Sequence, residues 1–316
     1  MLSRVAENLY WISRYVERAD NVVRLLADAF QMELETGRTW VDGPRPLERV
    51  LKILSIDIQS IQDENVPSVE RIEEILRELT FERKNDYSVL SMLGRARENA
   101  RSVQEALSTE AWSQINQIYL YLISPRATER FNTGAYRYFQ KLKKDCTLFT
   151  AIIETTLPRT EAYHFLMLGR YLERVDILSR IIAVHASLLK ETKGSGPWLL
   201  PWTNLLRVYS ANEAYMRHSG ERIDPPGVIR YLLLEEDFPR SMRFALSRCL
   251  KNLRAVAGSS IGASSQAERH LGRLESDLRY IDIDEVLNKG IGEFLEGVQN
   301  TCAQVGSEIH QAYFRT

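Results

Sequence analysis

The chain has 316 residues, 44% apolar and 26% charged, which is ordinary globular composition and enough length for two domains. Its 41 lysines and arginines nearly balance 42 aspartates and glutamates, which argues against a nucleic-acid binder that works through bulk phosphate neutralisation. The uncharged stretches are too short to span a membrane, and the first residues lack the apolar run of a secretory signal, so we expect a cytoplasmic protein.

Apolar residues recur at spacings of three and four along almost the whole chain, which predicts an all-α fold. The first predicted helix begins near Ser3 and carries an apolar stripe from Leu9 to Leu26. Proline and glycine clusters predict the breaks between about a dozen helices. These breaks fall at residues 43–46, Pro67, Pro125, Pro158, residues 194–197, residues 225–227, Pro239 and residues 258–265.

A long internal repeat is the most informative feature of the sequence. The stretch Arg14 to Asp20 matches Arg170 to Asp176 at an offset of 156 residues (170 minus 14), and Arg95 matches Arg248 at an offset of 153 (248 minus 95). We therefore predict a multi-helix bundle built from two tandem homologous halves, residues 1–157 and 158–316. The two copies would be related by a pseudo-two-fold axis and packed as one compact body.

The repeated stretch holds an Arg-x-x-Glu-Arg cluster. Arg14, Glu17 and Arg18 lie on one face of the first helix, opposite the apolar stripe, where a solvated surface is expected. Asp20 and Arg24 have the spacing of an ordinary surface ion pair. However, Tyr10 and Trp11 share the charged face, and aromatic rings beside arginine are common in binding sites.

In the second copy the helix is apolar nearly all round, which predicts that Arg170, Glu173 and Arg174 are buried. Four arginines against two glutamates leave an excess of positive charge that an anion would relieve, because guanidinium groups bind carboxylate or phosphate bidentately. Arg95 and Arg248 would extend this basic lining. Three interpretations stay open: surface ion pairs, a structural ion-pair network that joins the halves, and a ligand-binding or catalytic site between them.

Other candidates are weaker. The five histidines have no metal-ligand spacing, and the three cysteines are far apart, so we predict neither a metal site nor a disulfide. No phosphate-binding glycine loop or nucleophile motif occurs, so no cofactor is predicted. Asp282 is expected to cap a helix over residues 285–295, and the lysines near Lys141 are read as a solvated helix face.

The repeated Glu-Arg stretches resemble the alpha-E family, bacterial all-helical proteins named for a Glu-Arg motif. Similarity extends to residues 96–101 and 237–241, and the family motif would correspond to Glu17-Arg18 and Glu173-Arg174. The resemblance implies two partners, a circularly permuted ATP-grasp-like protein and a transglutaminase-like protein, whose genes tend to lie beside those of the family. That association implies a system that makes or modifies peptides.

These observations favour an accessory protein that binds an anionic peptide or small carboxylate between the halves and works with the ATP-grasp-type partner. An enzyme that uses Glu17 or Glu173 as general acid or base is the first alternative. A structural scaffold with a buried ion-pair network is the second. No nucleic-acid or membrane partner is expected.

Overall fold

A computed structural model describes residues 1–36, 45–56, 68–191, 199–220, 222–257 and 265–315. Within these residues the protein is all-helical, with fourteen α-helices and no strand. The helices are α1 Ser3–Thr36, α2 Pro46–Ile53, α3 Ser68–Phe81, α4 Val89–Arg101, α5 Thr109–Leu122, α6 Pro125–Thr156, α7 Glu161–Glu191, α8 Leu200–Val208, α9 Asn212–Ser219, α10 Pro225–Leu234, α11 Met242–Ala257, α12 Ser265–Tyr280, α13 Ile283–Lys289 and α14 Gly292–Ile309.

The chain divides into two compact units. The first unit is Trp11–Pro158, and the second unit is Met1–Tyr10 together with Arg159–Thr316. The division after Pro158 falls one residue beyond the predicted boundary between residues 157 and 158, and the first ten residues belong to the second unit. Helix α1 therefore contributes its opening turns to one unit and the rest of its length to the other.

Helix boundaries follow the predicted signals. Helix α1 begins at Ser3, and Pro125 and Pro225 occupy the first turns of α6 and α10, where the missing proline N–H costs no hydrogen bond. The Asp224 carboxylate caps α10 by accepting a 3.1 Å hydrogen bond from the Gly227 N–H. The predicted breaks at residues 43–44, Pro67, residues 194–197 and residues 258–264 lie outside the described residues.

One predicted helix is wrong in its extent. Asp282 does cap a helix, accepting 3.1 Å hydrogen bonds from the N–H groups of Asp284 and Glu285. The predicted helix over residues 285–295 is nevertheless interrupted, because α13 ends at Lys289. Gly290 then adopts a φ of 103°, a left-handed conformation that glycine accepts readily, before α14 begins.

Apolar packing follows the predicted stripe. Along α1, the stripe from Leu9 to Leu26 is at most 3% exposed. In the second unit α7 packs against α11 and α14, and in the first unit α4 packs against α5, which packs against α6. No helix in the described ranges is long and apolar enough to cross a membrane.

A serine begins one helix in each unit with the same set of hydrogen bonds. In the first unit the Ser88 hydroxyl accepts from the Ser91 N–H at 3.1 Å and donates to the Glu82 carbonyl at 2.6 Å. In the second unit the Ser241 hydroxyl accepts from the Phe244 N–H at 3.1 Å and donates to the carbonyl of Glu235. The offset between the two serines is 153 residues (241 minus 88).

A second serine pair ends one helix in each unit. Ser55 after α2 and Ser210 after α8 have φ values of 56° and 54°, and they are the two non-glycine residues with positive φ in the described ranges. The Ser55 N–H donates to the Lys52 carbonyl at 3.1 Å, and the Ser210 N–H donates to the Arg207 carbonyl at 3.0 Å. Each unit therefore uses the same uncommon backbone turn at this point.

Candidate functional site: the Glu-Arg clusters

The first cluster lies on α1 within the first unit. The Glu17 side chain is buried, with 4% of the residue exposed, whereas Arg14 and Arg18 are partly exposed. The Asn21 amide donates to the Glu17 carbonyl oxygen at 2.8 Å and lies 3.5 Å from its carboxylate. The expectation of a fully solvated face is therefore wrong for Glu17, because this part of α1 is covered on its charged side as well.

Aromatic rings lie against Arg14 of the first cluster and against Arg95 beside it. The guanidinium of Arg14 lies 5.7 Å from the Trp11 ring, and the Trp11 and Tyr15 rings are 5.5 Å apart. Arg95 on α4 lies 5.9 Å from the Tyr15 ring and forms an ion pair with Asp86. The structure thus brings Arg95 and Trp11 beside the first cluster, as cation–π partners rather than as isolated surface residues.

The Asp20–Arg24 pair is buried, which corrects the expectation of a surface pair. The Arg24 Nε donates to the Asp20 carboxylate at 2.8 Å, with 4% and 7% of the two side chains exposed. Close to this pair, burial raises the pKa of the Cys146 thiol well above its usual value, and the Asp20 carboxylate raises it further. The thiol therefore stays protonated and is a poor nucleophile.

The second cluster lies on α7 within the second unit. Glu173 and Arg174 are 1% and 2% exposed, as the apolar surroundings of this helix predict, but the predicted burial of Arg170 is wrong, because its side chain is partly exposed. The Arg174 Nη1 donates a 2.8 Å hydrogen bond to the carbonyl oxygen of Pro239. This bond anchors a buried guanidinium to the loop that precedes α11.

Two neighbouring aromatic rings link the second cluster to α11. The guanidinium groups of Arg170 and Arg174 lie 5.4 and 5.6 Å from the Tyr171 ring. The Tyr171 ring lies 6.3 Å from the Phe244 ring, and the Arg248 guanidinium lies 5.0 Å from the Phe244 ring. Arg248 therefore reaches this cluster through Phe244, although its own side chain is exposed.

Tyr10 has a packing role in the second unit. Its ring is 2% exposed and lies 5.5 Å from the Phe314 ring. A Cβ atom on Gly169 would lie 2.2 Å from the Tyr10 carbonyl oxygen, so only glycine allows α1 and α7 to approach so closely here. Of the two aromatic residues predicted for the charged face, Trp11 contacts Arg14, and Tyr10 belongs to the core.

A further buried charge cluster, which the sequence reasoning missed, lies where α1 approaches α2. Glu33 and Arg49 are 6% and 3% exposed, and Arg45 lies 3.5 Å from the Glu33 carboxylate. Burial raises the pKa of Glu33 and lowers the pKa of Arg49 to about 10. The Glu33 carboxylate also faces the first turn of α2, 3.5 Å from the Leu47 N–H, so this cluster stabilises a helix start.

Each Glu-Arg cluster contains one buried carboxylate and two guanidinium groups, and in each a partly exposed arginine, Arg14 or Arg170, lies against an aromatic ring. Such an arrangement suits recognition of an oxyanion, because the fork of the guanidinium pairs with carboxylate or phosphate. In the described ranges no group of three histidine, cysteine, aspartate or glutamate side chains is placed to hold a metal ion. The convergence of the two clusters on one pocket stays a prediction.

Long helices that carry Glu-Arg dipeptides, each with a buried glutamate, define the class of this protein as all-helical with an internal Glu-Arg motif. The chain belongs to the Alpha-E family. The model of that family, described as a predicted alpha-helical domain with a conserved ER motif, matches residues 1–314. Comparisons with curated proteins and with solved structures gave no match.

Proposed function

We propose that this Alpha-E protein is a cytoplasmic accessory protein of a bacterial peptide-making or peptide-modifying system. It binds an anionic peptide or small carboxylate through its Arg-x-x-Glu-Arg clusters. The observation that carries the proposal is a buried glutamate one helical turn away from a partly exposed arginine that lies against an aromatic ring. Arg14 over Trp11 and Arg170 over Tyr171 have this arrangement. A guanidinium that is already oriented loses less entropy when it binds a carboxylate.

Isothermal titration with acidic peptides tests the binding step. The probe is the tripeptide Glu-Glu-Glu, and the neutral Gln-Gln-Gln is its uncharged counterpart. We expect binding of the acidic peptide alone, weakened about tenfold or more by Arg14→Gln with Arg170→Gln, because each lost charge-assisted hydrogen bond is worth about 1.5–3 kcal/mol. Arg207→Gln, at an exposed arginine outside both clusters, is the matched control. Equal binding by the double variant would contradict the proposal.

The partner proposal has a separate test. We propose that the protein works with a circularly permuted ATP-grasp-like protein, and that a transglutaminase-like protein acts in the same system. Sedimentation of the chain mixed with the ATP-grasp-like protein is expected to show a complex. If the mixture sediments as two unassociated species with and without peptide, this partnership is wrong.

A scaffold role is the second candidate, and the bond from Arg174 to the Pro239 carbonyl favours it. A network that only stabilises the fold would lose unfolding free energy on Glu173→Gln without any change in peptide or partner binding. The two candidates therefore separate in one variant measured in both ways. Use of Glu17 or Glu173 as general acid or base stays a prediction, for which Glu17→Gln would abolish turnover while leaving stability nearly unchanged.

We also propose that the two sequence halves are copies of one helical unit. The matching hydrogen bonds of Ser88 and Ser241 support this, as do the matching backbone turns at Ser55 and Ser210. The proposed copies differ in the residue that follows the repeated stretch, three residues after the Glu-Arg motif, where Asn21 in the first copy corresponds to Ile177 in the second. Two copies that differ in this way would give the two clusters unequal affinity.

A further inference from the structure

A cavity within the first unit, separate from both Glu-Arg clusters, has the chemistry of an anion site. It has a volume of about 420 Å³ and lies where the end of α5 meets the first half of α6. Four cationic side chains line it together with one carboxylate. They are Arg126, Arg130, Arg137, Lys141 and Glu129. We name it the α5–α6 cavity.

The cations of the α5–α6 cavity exceed its anions. Lys141 is paired with Asp145 at 2.6 Å, but Arg126, Arg130 and Arg137 form no ion pair with any other described residue. Three arginines against Glu129 leave a net charge of two on the cavity wall. Like charges gathered on one wall repel each other, and a bound dianion would cancel that repulsion.

The position of Arg126 also favours a bound anion. It lies in the first turn of α6, which holds no acidic residue. The amino end of a helix carries a partial positive charge, so an arginine there is disfavoured unless an anion lies beside it. Arg126 is therefore an unfavourable local charge on the cavity wall unless an anion binds there.

Two tyrosines form the floor of the cavity. Their rings are stacked with centroids 6.0 Å apart, and the Lys141 ammonium lies 4.2 Å from the Tyr121 ring. Tyr138 is 2% exposed, and the hydroxyl groups of Tyr121 and Tyr138 are buried with no hydrogen-bond partner among the described residues. Burial raises the pKa of both phenols, so both hydroxyls keep their protons and can donate.

A kink in α6 forms part of the cavity wall. At Gly134, a cavity-lining residue, the backbone leaves the helical conformation with φ 177° and ψ 82°, so α6 is two helical segments joined at a kink. Arg126 and Arg130 come from the segment before the kink, and Arg137 and Lys141 come from the segment after it. The kink therefore places basic side chains from two helix directions around one cavity.

We propose that the α5–α6 cavity binds a small dianion, either a phosphate ester or a dicarboxylate, between its three arginines and the two tyrosine hydroxyls. The arginines offer forked donors to the anion's oxygens, and a ligand oxygen on the floor accepts from a hydroxyl that otherwise lacks an acceptor. This site is independent of the Glu-Arg clusters. Its ligand is small, because the cavity would not enclose a folded partner.

Isothermal titration of the full chain in low-salt buffer tests the site with inorganic phosphate, pyrophosphate and succinate as probes. We expect a saturable dissociation constant in the millimolar range or tighter for at least one probe. Arg126→Gln with Arg130→Gln is expected to weaken it at least tenfold, since two charge-assisted contacts are lost. Tyr138→Phe removes only one hydroxyl and keeps the ring, and we expect a loss of about threefold to tenfold.

Controls separate this site from the proposed peptide site. Arg83→Gln removes an exposed arginine elsewhere in the first unit and should leave dianion binding unchanged. Arg14→Gln with Arg170→Gln should also leave it unchanged, even if acidic peptides no longer bind. Circular dichroism reports whether each variant folds. If the double arginine variant does not fold, the Tyr138→Phe variant tests the site in its place.

The outcomes decide the ligand class and the site. Binding of phosphate or pyrophosphate without succinate assigns a phosphate ester, and the reverse assigns a dicarboxylate. Absence of binding for all three probes at about 10 mM, a concentration well into the range of weak complexes, would overturn the proposal. Binding that survives both the arginine and the Tyr138→Phe substitutions would overturn it equally.

Discussion

The two Glu-Arg motifs have almost the same sequence but different surroundings. Arg174 of the second motif is 2% exposed and bonds to the Pro239 carbonyl, whereas Arg18 of the first is partly exposed. One turn further along each helix, the order of exposure is reversed, and the charged pair of the first unit is the more buried one. The Asp20–Arg24 pair has 7% and 4% of its side chains exposed, against 15% and 36% for Asp176–Arg180.

This reversal shows that burial of a charged motif is decided by its neighbours rather than by its own residues. The position that follows the first motif by three residues is Asn21, whose amide bonds to the Glu17 carbonyl oxygen. The matching position after the second motif is Ile177, which is 4% exposed and has no polar group to offer. A matched substitution in each motif therefore measures the surroundings directly.

The largest expected difference is between the two motif arginines. Arg174→Met should lower the free energy of unfolding by roughly 3–5 kcal/mol, because it leaves the buried Glu173 with less compensating charge and the Pro239 carbonyl without its donor. Arg18→Met should cost clearly less, because water reaches that side chain. Urea denaturation of both variants gives the comparison, and equal losses would mean that exposure does not set the energy.

For the Asp-Arg pairs, we expect the larger loss of unfolding free energy in the first unit rather than in the second. Asp20→Asn is expected to cost about 3 kcal/mol, because it removes the buried carboxylate to which the Arg24 guanidinium donates. Asp176→Asn should cost under about 1 kcal/mol, because the Arg180 side chain is exposed to water and salt. Chemical denaturation at low and high salt should show that only the Asp176 effect shrinks with added salt. A larger loss for Asp176→Asn would contradict the comparison.

Close helix packing in the second unit has a smaller expected effect. Gly169→Ala should destabilise by about 1–3 kcal/mol, because the new methyl group would overlap the Tyr10 carbonyl and push the helices apart. Gly272→Ala on α12 is the matched control, since nothing lies within 4 Å of a Cβ there. That control should stabilise by up to about 1 kcal/mol through helix propensity. Thermal unfolding of both variants measures the contrast.

The smallest expected effect concerns the serine caps, a feature that the two units share. Ser88→Ala and Ser241→Ala should each cost about 1 kcal/mol, because each removes a helix cap with the same bonding pattern. Denaturant midpoints should fall by similar amounts in the two variants. Losses that differ severalfold would argue against the proposal that these loops are copies of one element.

Much of the fold was predictable because proline and glycine act locally. Pro125 and Pro225 start helices through the geometry of their own rings, and Asp282 caps a helix with its own carboxylate. The break at Gly290 was missed because the apolar spacing continues across it. A single glycine within a periodic pattern does not distinguish a tolerated helix residue from a break.

The candidate site was predictable only in part. The apolar neighbours of Glu173 on its own helix predicted its burial, but the burial of Glu17 and Asp20 depends on elements distant in sequence. The α5–α6 cavity was missed because its tyrosine floor draws on two helices and its wall needs the kink at Gly134. The one signal available was the excess of positive charge over residues 126–137, where Arg126, Arg130 and Arg137 stand against the single acidic residue Glu129.

The opening turns of α1 have a consequence for dividing the polypeptide. A fragment that starts at Arg159 would lack Tyr10, so the ring of Phe314 would lose a neighbour and the groove beside Gly169 would stand open to water. A fragment that stops at Pro158 would instead carry residues 1–10 as an extension that lacks its packing partners. Neither gene fission nor proteolysis at the midpoint can thus release two complete modules, although supplying residues 1–10 as a separate peptide should restore the missing piece.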